Sequence, residues 1–170
     1  PLAVAFVESV EEVRALFRIA REREIPLTFR AAGTSLSGQA SGEGILACVT
    51  RHWKKCRVLD SGRRVQVEPG VIGEHVNHAL RIYGRKLGPD PASLASCMMG
   101  GILANNSSGM CCGVSRNAYQ TLRAMRFVLS TGSVLDTREP GASERFRAGD
   151  PAAFDAIRSI QRQIAGDPAL

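Results

Sequence analysis

Apolar and polar positions alternate along the chain with a period that changes from block to block. Leu2 to Val7 is a short run of small and branched apolar residues, the pattern of a strand. Ser9-Val10-Glu11-Glu12 follows as a capping box, in which the serine hydroxyl satisfies an orphan amide of the first helical turn. Val10, Val13, Leu16, Phe17 and Ala20 then recur at helical spacing and predict a helix to about Glu24. Pro26 stops it, Leu27 to Arg30 reads as a short strand, and the glycine- and serine-rich stretch Ala31 to Gly44 reads as loop. Ile45 to Val49 is strand again, so the opening predicts strand, helix, strand, long polar loop, strand.

From Arg57 the pattern shortens. Arg57 to Leu59, a turn at Ser61-Gly62, and the alternating Arg64 to Val67 predict an antiparallel hairpin. Pro69-Gly70 introduces a helix over about Ile72 to Tyr83, with Val76, Ala79, Leu80 and Tyr83 on its apolar face and Gly84 and Gly88 punctuating its end. A long loop, Gly88 to Ser115, uncharged after Asp90, contains a glycine pair suited to opening a short helix. Met125 to Leu129 and Val134 to Thr137 predict a second strand pair joined by Ser130-Thr131-Gly132-Ser133, and Pro151 to Ile164 a last helix. The whole reads as an α/β (α+β) fold of two lobes. A small parallel βαβ lobe occupies about residues 1–50, and a mainly antiparallel lobe with helices occupies about 51–170.

Composition supports a globular domain, since 44% of the 170 residues are hydrophobic and 22% charged. The net charge of +6 is carried almost wholly by arginine, 19 of the 22 basic residues, which suits phosphate or carboxylate oxygens. Nucleic acid is not indicated, because no recognition helix or stacking sheet accompanies the charge. The basic run Arg51-His52-Trp53-Lys54-Lys55 reads as a solvated turn beside a strand. A transmembrane span is also not indicated: the longest uncharged run, Pro91 to Ser115, carries Asn105, Asn106 and several serines and glycines. Five cysteines, an odd set without metal-ligand spacing, read as reduced thiols of a cytoplasmic protein. The adjacent Cys111-Cys112 fits a redox sensor or, more plainly, small residues in a tight loop. His75 and His78 lie three apart on the predicted helix without carboxylates to complete a metal site. The chain begins at Pro1 with a strand and no leader-like segment, as expected of a piece of a longer polypeptide.

Two loops carry the candidate chemistry. Arg30-Ala31-Ala32-Gly33-Thr34-Ser35-Leu36-Ser37-Gly38-Gln39 combines small residues, which let backbone approach a ligand, with three hydroxyls and an arginine at its mouth. That is the composition of an anion nest for phosphate, against the plainer reading of a flexible linker. Gly88-Pro89-Asp90-Pro91-Ala92-Ser93, followed by Met99-Gly100-Gly101-Ile102-Leu103-Ala104-Asn105-Asn106-Ser107-Ser108-Gly109, offers helix-opening glycines and amide side chains. Those serve the edges of a heterocycle or a chain reversal equally well. Gly42-Glu43-Gly44-Ile45-Leu46-Ala47 matches GxGxxA, but a strand follows where that fingerprint requires a helix. Walker, HExxH and GxSxG motifs are missing, which disfavours a P-loop kinase, a zincin and an α/β-hydrolase.

Together these loops, with Ile25-Pro26, Val67-Glu68-Pro69-Gly70-Val71 and Phe127-Val128-Leu129 before Gly132, resemble the flavin-binding (PCMH-type) domain of the vanillyl-alcohol oxidase class. The similarity is to its branch of FAD-linked D-2-hydroxy-acid dehydrogenases, which includes the D-lactate dehydrogenases, and it runs over almost the whole chain. Asn117 to Leu122 and Ala148 to Pro151 look most like the members that continue into an iron-sulfur region. The resemblance implies a noncovalent FAD lying between the two lobes. Its pyrophosphate would be held by Arg30 to Gln39, with Gly33, Thr34, Ser35 and Gly38 as phosphate contacts. Pro89, Asp90, Pro91, Ala92 and Ser93, with Gly100, Gly101, Ala104, Asn105, Asn106, Ser108 and Gly109, would line the flavin and ribityl region.

The implied activity is hydride removal from a D-2-hydroxy acid of the D-lactate, glycolate or 2-hydroxyglutarate class. Catalytic groups would lie in a substrate domain outside this chain, so the segment alone is expected to be inactive. The electron acceptor is unspecified, and the expected location is the cytoplasm or the periphery of the inner membrane. A non-redox nucleotide-binding or interaction module is the alternative. One departure stands out: where the family often has glycine after the arginine, this chain has Ala31, and a positive φ there would be strained.

Overall fold

The computed structural model describes residues 1–167. The last three residues of the expected second lobe lie outside the described residues. Lobe one is a three-stranded parallel sheet of β1 (Ala3–Phe6), β2 (Leu27–Arg30) and β3 (Ile45–Cys48), in the order β1-β3-β2, with α1 (Val10–Glu22) crossing between the first two. The register pairs Ala5 and Phe29 with Ala47 at the sheet centre.

Helix α1 starts where the capping box places it, the Ser9 hydroxyl accepting from the Glu12 amide at 3.2 Å. The return arm of the box falls one residue earlier than usual, the Glu12 carboxylate accepting from the Glu8 amide at 2.9 Å. Val13 faces Val7 and Ala47 in the core, with Leu16, Phe17, Leu27, Val49, Trp53 and Val128 packed around them.

Trp53 corrects the sequence reading of a solvated turn. It is partly buried against this core, and its indole Nε1–H donates to the Val7 carbonyl at 2.8 Å. The neighbouring Arg51, His52, Lys54 and Lys55 are exposed, so the run is a turn anchored by its one aromatic.

Lobe two opens with the antiparallel hairpin of β4 (Cys56–Leu59) and β5 (Arg64–Val67). α2 (Gly73–Leu80) then runs into a 3-10 turn, Arg81–Tyr83, ended by Gly84 in the left-handed conformation at φ 63°. The predicted single helix therefore tightens in its last turn, where Tyr83 is exposed instead of lying on the apolar face. Val71, Val76 and Leu80 form the core beneath it, joined by Val58, Val65 and Val67 of the hairpin and by Leu87 and Met99.

A third cluster, Cys97, Ile102 and Ala118, sits under α3 (Met99–Ala104) and α4 (Ala118–Thr121). The second hairpin, β6 (Arg126–Val128) with β7 (Val134–Asp136), leads to α5 (Ala142–Gly149) and α6 (Pro151–Gly166). α4 and α5 have no counterpart in the sequence reading. Both are short, and α4 depends on a local cap, Asn117 Oδ1 accepting from the Gln120 amide at 2.9 Å.

The lobes are joined by backbone. Gly70 N–H donates to Trp53 O at 2.9 Å, and a Cβ on Gly70 would lie 2.8 Å from Trp53 O and still closer to Val49 O. Only glycine lets the start of lobe two lie this close to the end of lobe one.

Candidate cofactor site

Loop one leaves the C-terminal end of β2, where ligands gather in parallel sheets. Its curvature comes from Gly33 at φ 71° and Gly38 at φ 76°, and Ala31 keeps an ordinary negative φ. The strain anticipated for alanine at that position does not arise, because the left-handed step falls two residues later on a glycine. Arg30 Nη1–H donates to Ala40 O at 2.9 Å, and a Cβ on Gly33 would collide with the Arg30 guanidinium.

Among the described residues, the amides of Ala32 to Ser37 donate to no group within the chain. Thr34, Ser35, Leu36, Ser37, Gly38 and Gln39 are exposed, and the Ser35 hydroxyl donates to Gln39 Oε1. A row of free amides flanked by hydroxyls is a donor set for anionic oxygens.

Loop two is held from below. Met99 N–H donates to Val71 O at 2.8 Å and Gly100 N–H to Pro69 O at 2.9 Å, and a Cβ on Gly100 would lie 2.7 Å from Pro69 Cβ. The Pro69-Gly70-Val71 turn is thus the seat of α3. Sequence reading placed these residues in the family pattern without giving them a role at the site. Gly101, Ala104 and Asn105 share the opposite, exposed face of α3, as their i, i+3, i+4 spacing requires. A Cβ on Gly101 would meet only Ala31 Cβ, at 3.9 Å. The two loops, 70 residues apart at these positions, therefore face each other across a narrow gap.

Not every candidate faces this gap. Asn106 takes a left-handed conformation, φ 46°, and its Oδ1 accepts from the Tyr119 amide at 2.9 Å while Ser107 O accepts from the Ala118 amide at 2.9 Å. Its side chain is occupied in tying α3 to α4. Pro89 is buried, and Asp90 lies against Gly109, where any Cβ would strike the Asp90 carbonyl and Oδ1. Asp90 Oδ1 is buried with no partner at full hydrogen-bond distance. Burial pushes its carboxyl pKa up. The Cys111 and Cys112 thiols, the Lys86 charge and the Cys111 backbone outweigh that and bring it below the usual value. Cys97 is buried beneath α3, and His52, His75 and His78 are exposed outside both loops.

The architecture is a parallel βαβ lobe joined through a glycine turn to a lobe of hairpins and helices with two facing loops. It superposes on 6-hydroxy-D-nicotine oxidase of Arthrobacter nicotinovorans with a TM-score of 0.68 at 20% identity, over 78% of this chain and 29% of that one. It matches alkyldihydroxyacetonephosphate synthase with a TM-score of 0.64 at 24% identity, over 79% and 25%. Residues 1–138 match the FAD binding domain family, and the chain belongs to that family.

Among curated relatives it is 32% identical over 114 residues to the glycolate oxidase subunit GlcD of Escherichia coli K12, covering 66% of this chain and 23% of the relative. It is 30% identical over 142 residues to the D-2-hydroxyglutarate dehydrogenase of Pantoea ananatis, covering 81% and 14%. The chain thus spans less than a quarter of the length of either. FAD is the cofactor of the family, and the free amides of loop one fit its phosphates. Among the described residues no helix is long and apolar enough to cross a membrane.

Proposed function

We propose that this chain is the FAD-binding segment of a longer flavin-dependent oxidoreductase that oxidises a D-2-hydroxy acid. The observation that carries the reading is the facing of Ala31 and Gly101 in a chain of the FAD binding domain family. The names of the relatives, glycolate oxidase and D-2-hydroxyglutarate dehydrogenase, supply the substrate class.

In this proposal the amides and hydroxyls of residues 30–39, Gly33, Thr34, Ser35 and Gly38 foremost, hold the pyrophosphate. Residues 89–93 and the exposed face of α3 take the ribityl and ring end. Bound FAD supplies the acceptor for the hydride leaving C2 of the acid. The hydroxyl proton requires a base and the carboxylate a cation, and the three histidines of this chain lie outside both loops. Those groups are assigned to a substrate domain outside residues 1–170, and the segment by itself is inactive. The cofactor is held noncovalently, and the protein is cytoplasmic, with its electron acceptor left to the longer chain.

The test is anaerobic titration of the full-length parent with D-lactate, glycolate and D-2-hydroxyglutarate while flavin absorbance is followed. Bleaching by one of the three supports the reading. Bound FAD that none of them bleaches defeats the dehydrogenase and leaves the non-redox nucleotide module.

A further inference from the structure

We infer that Arg30 is a positioning residue: its guanidinium is a strut that holds loop one in its curved shape and acts through the loop backbone, without itself ligating a phosphate. The inference rests on the reading of loop one as the pyrophosphate cradle.

The geometry is specific. The atoms nearest to a Cβ built on Gly33 are Nη2, Cζ and Nε of Arg30, so the planar group lies flat against the Gly33 α-carbon. The same group sends Nη1–H to Ala40 O at 2.9 Å, closing a span of ten residues that has no regular structure. One rigid plane therefore fixes both the left-handed step at Gly33 and the return of the loop. A lysine, a point charge on a flexible stem, cannot do both. Closing such a span freely costs entropy, and a pre-organised fork lowers that cost. An arginine that ligates phosphate presents its fork to the ligand. Here Nη1–H is taken by the Ala40 carbonyl and the guanidinium fills the space where a Gly33 side chain would begin, while the amides of Ala32 to Ser37 are free.

The experiment compares the full-length parent with its Arg30→Lys, Arg30→Gln and Gly33→Ala variants and the Gly33→Ala/Arg30→Gln double variant. The first readout needs no cofactor: the rate of subtilisin cleavage around the exposed Leu36, followed by mass spectrometry beside a melting curve. A strut predicts that all three single variants are cut about tenfold faster with little change in melting, because local opening is separable from global unfolding. It also predicts that the double variant is no worse than Gly33→Ala alone, since both carry the strain of alanine at φ 71° and the contact is lost only once.

The second readout is FAD affinity by flavin fluorescence. The strut predicts similar losses for Lys and Gln, about tenfold, the scale of one lost charge-assisted hydrogen bond. Wild-type cleavage rates in both Arg30 variants overturn the proposal. So does an Arg30→Lys protein that matches wild type in cleavage and affinity while Arg30→Gln does not, since charge alone would then suffice. A wild-type full-length parent that fails to take up FAD counts against the cofactor reading, whereas the cleavage rates still decide the strut.

Discussion

Gly101 faces Ala31 across the gap between the loops, with space for a Cβ at 3.9 Å, whereas its neighbour Gly100 is pressed onto Pro69 with no such space. Two adjacent glycines of one helix thus serve different ends. Gly100 lets α3 sit on the turn that begins lobe two, and Gly101 keeps the outer face of α3 bare.

The pair makes a contrast that one melting experiment and one binding experiment can read. Gly100→Ala forces Pro69 aside and is expected to lower stability by about 1–3 kcal/mol, the usual cost of overpacking. Gly101→Ala meets only an ordinary contact and gains helix propensity, so stability is expected to hold or rise by about 0.5–1 kcal/mol. Gly101→Val fills the gap and is expected to weaken FAD binding at unchanged melting temperature. Equal melting losses in the two alanine variants would contradict the assignment.

Trp53 ties the link between the lobes to β1. Trp53→Phe keeps the ring and removes the donor, leaving the carbonyl of fully buried Val7 unpaired. The expected loss is about 1–3 kcal/mol, visible as a lower urea midpoint at unchanged slope. An unchanged midpoint would show that water replaces the indole.

Asp136 is buried next to Arg138, whose guanidinium and backbone amide both donate to its carboxylate. These bonds hold its pKa far below the ordinary carboxylate range. A depressed folded-state pKa contributes stability above the unfolded value, about 3.9, and loses it as pH falls from there toward the folded value. Asp136→Asn is therefore expected to melt lower at pH 7 and to show less acid destabilisation below about pH 4. Melting curves of the two proteins that stay parallel down to pH 2.5 would rule out this linkage.

Noncovalent attachment is open to direct inspection. Denaturing electrophoresis of the flavin-loaded parent is expected to leave no fluorescent protein band. A band abolished by Cys111→Ser would identify the exposed thiol of loop two as an attachment point.

The sequence by itself determined most of the elements whose cause is local, the Asn117-capped α4 excepted. Ser9 and Glu12 start α1, the alternation of Arg64 to Val67 pairs with β4, and Gly84 ends the turn after α2. Capping, φ restriction and period are properties of neighbouring residues, so they can be read without a fold. The two glycine-rich loops were legible for the same reason, as backbone freed of side chains next to strands and helices.

The tertiary structure decided the relationships between distant residues. Trp53 looks solvated among bases and is an anchor because Val7 O lies within its reach. Asn106 looks like a ligand group and is spent on the Tyr119 amide, because the fold sets the start of α4 against it. Arg30 and Gly33 are three residues apart and gave no hint of stacking, since a left-handed step folds one onto the other. Above all, the meeting of Ala31 with Gly101 depends on Gly70 bringing the lobes together through Trp53 O, a contact between backbones for which no side-chain pattern exists.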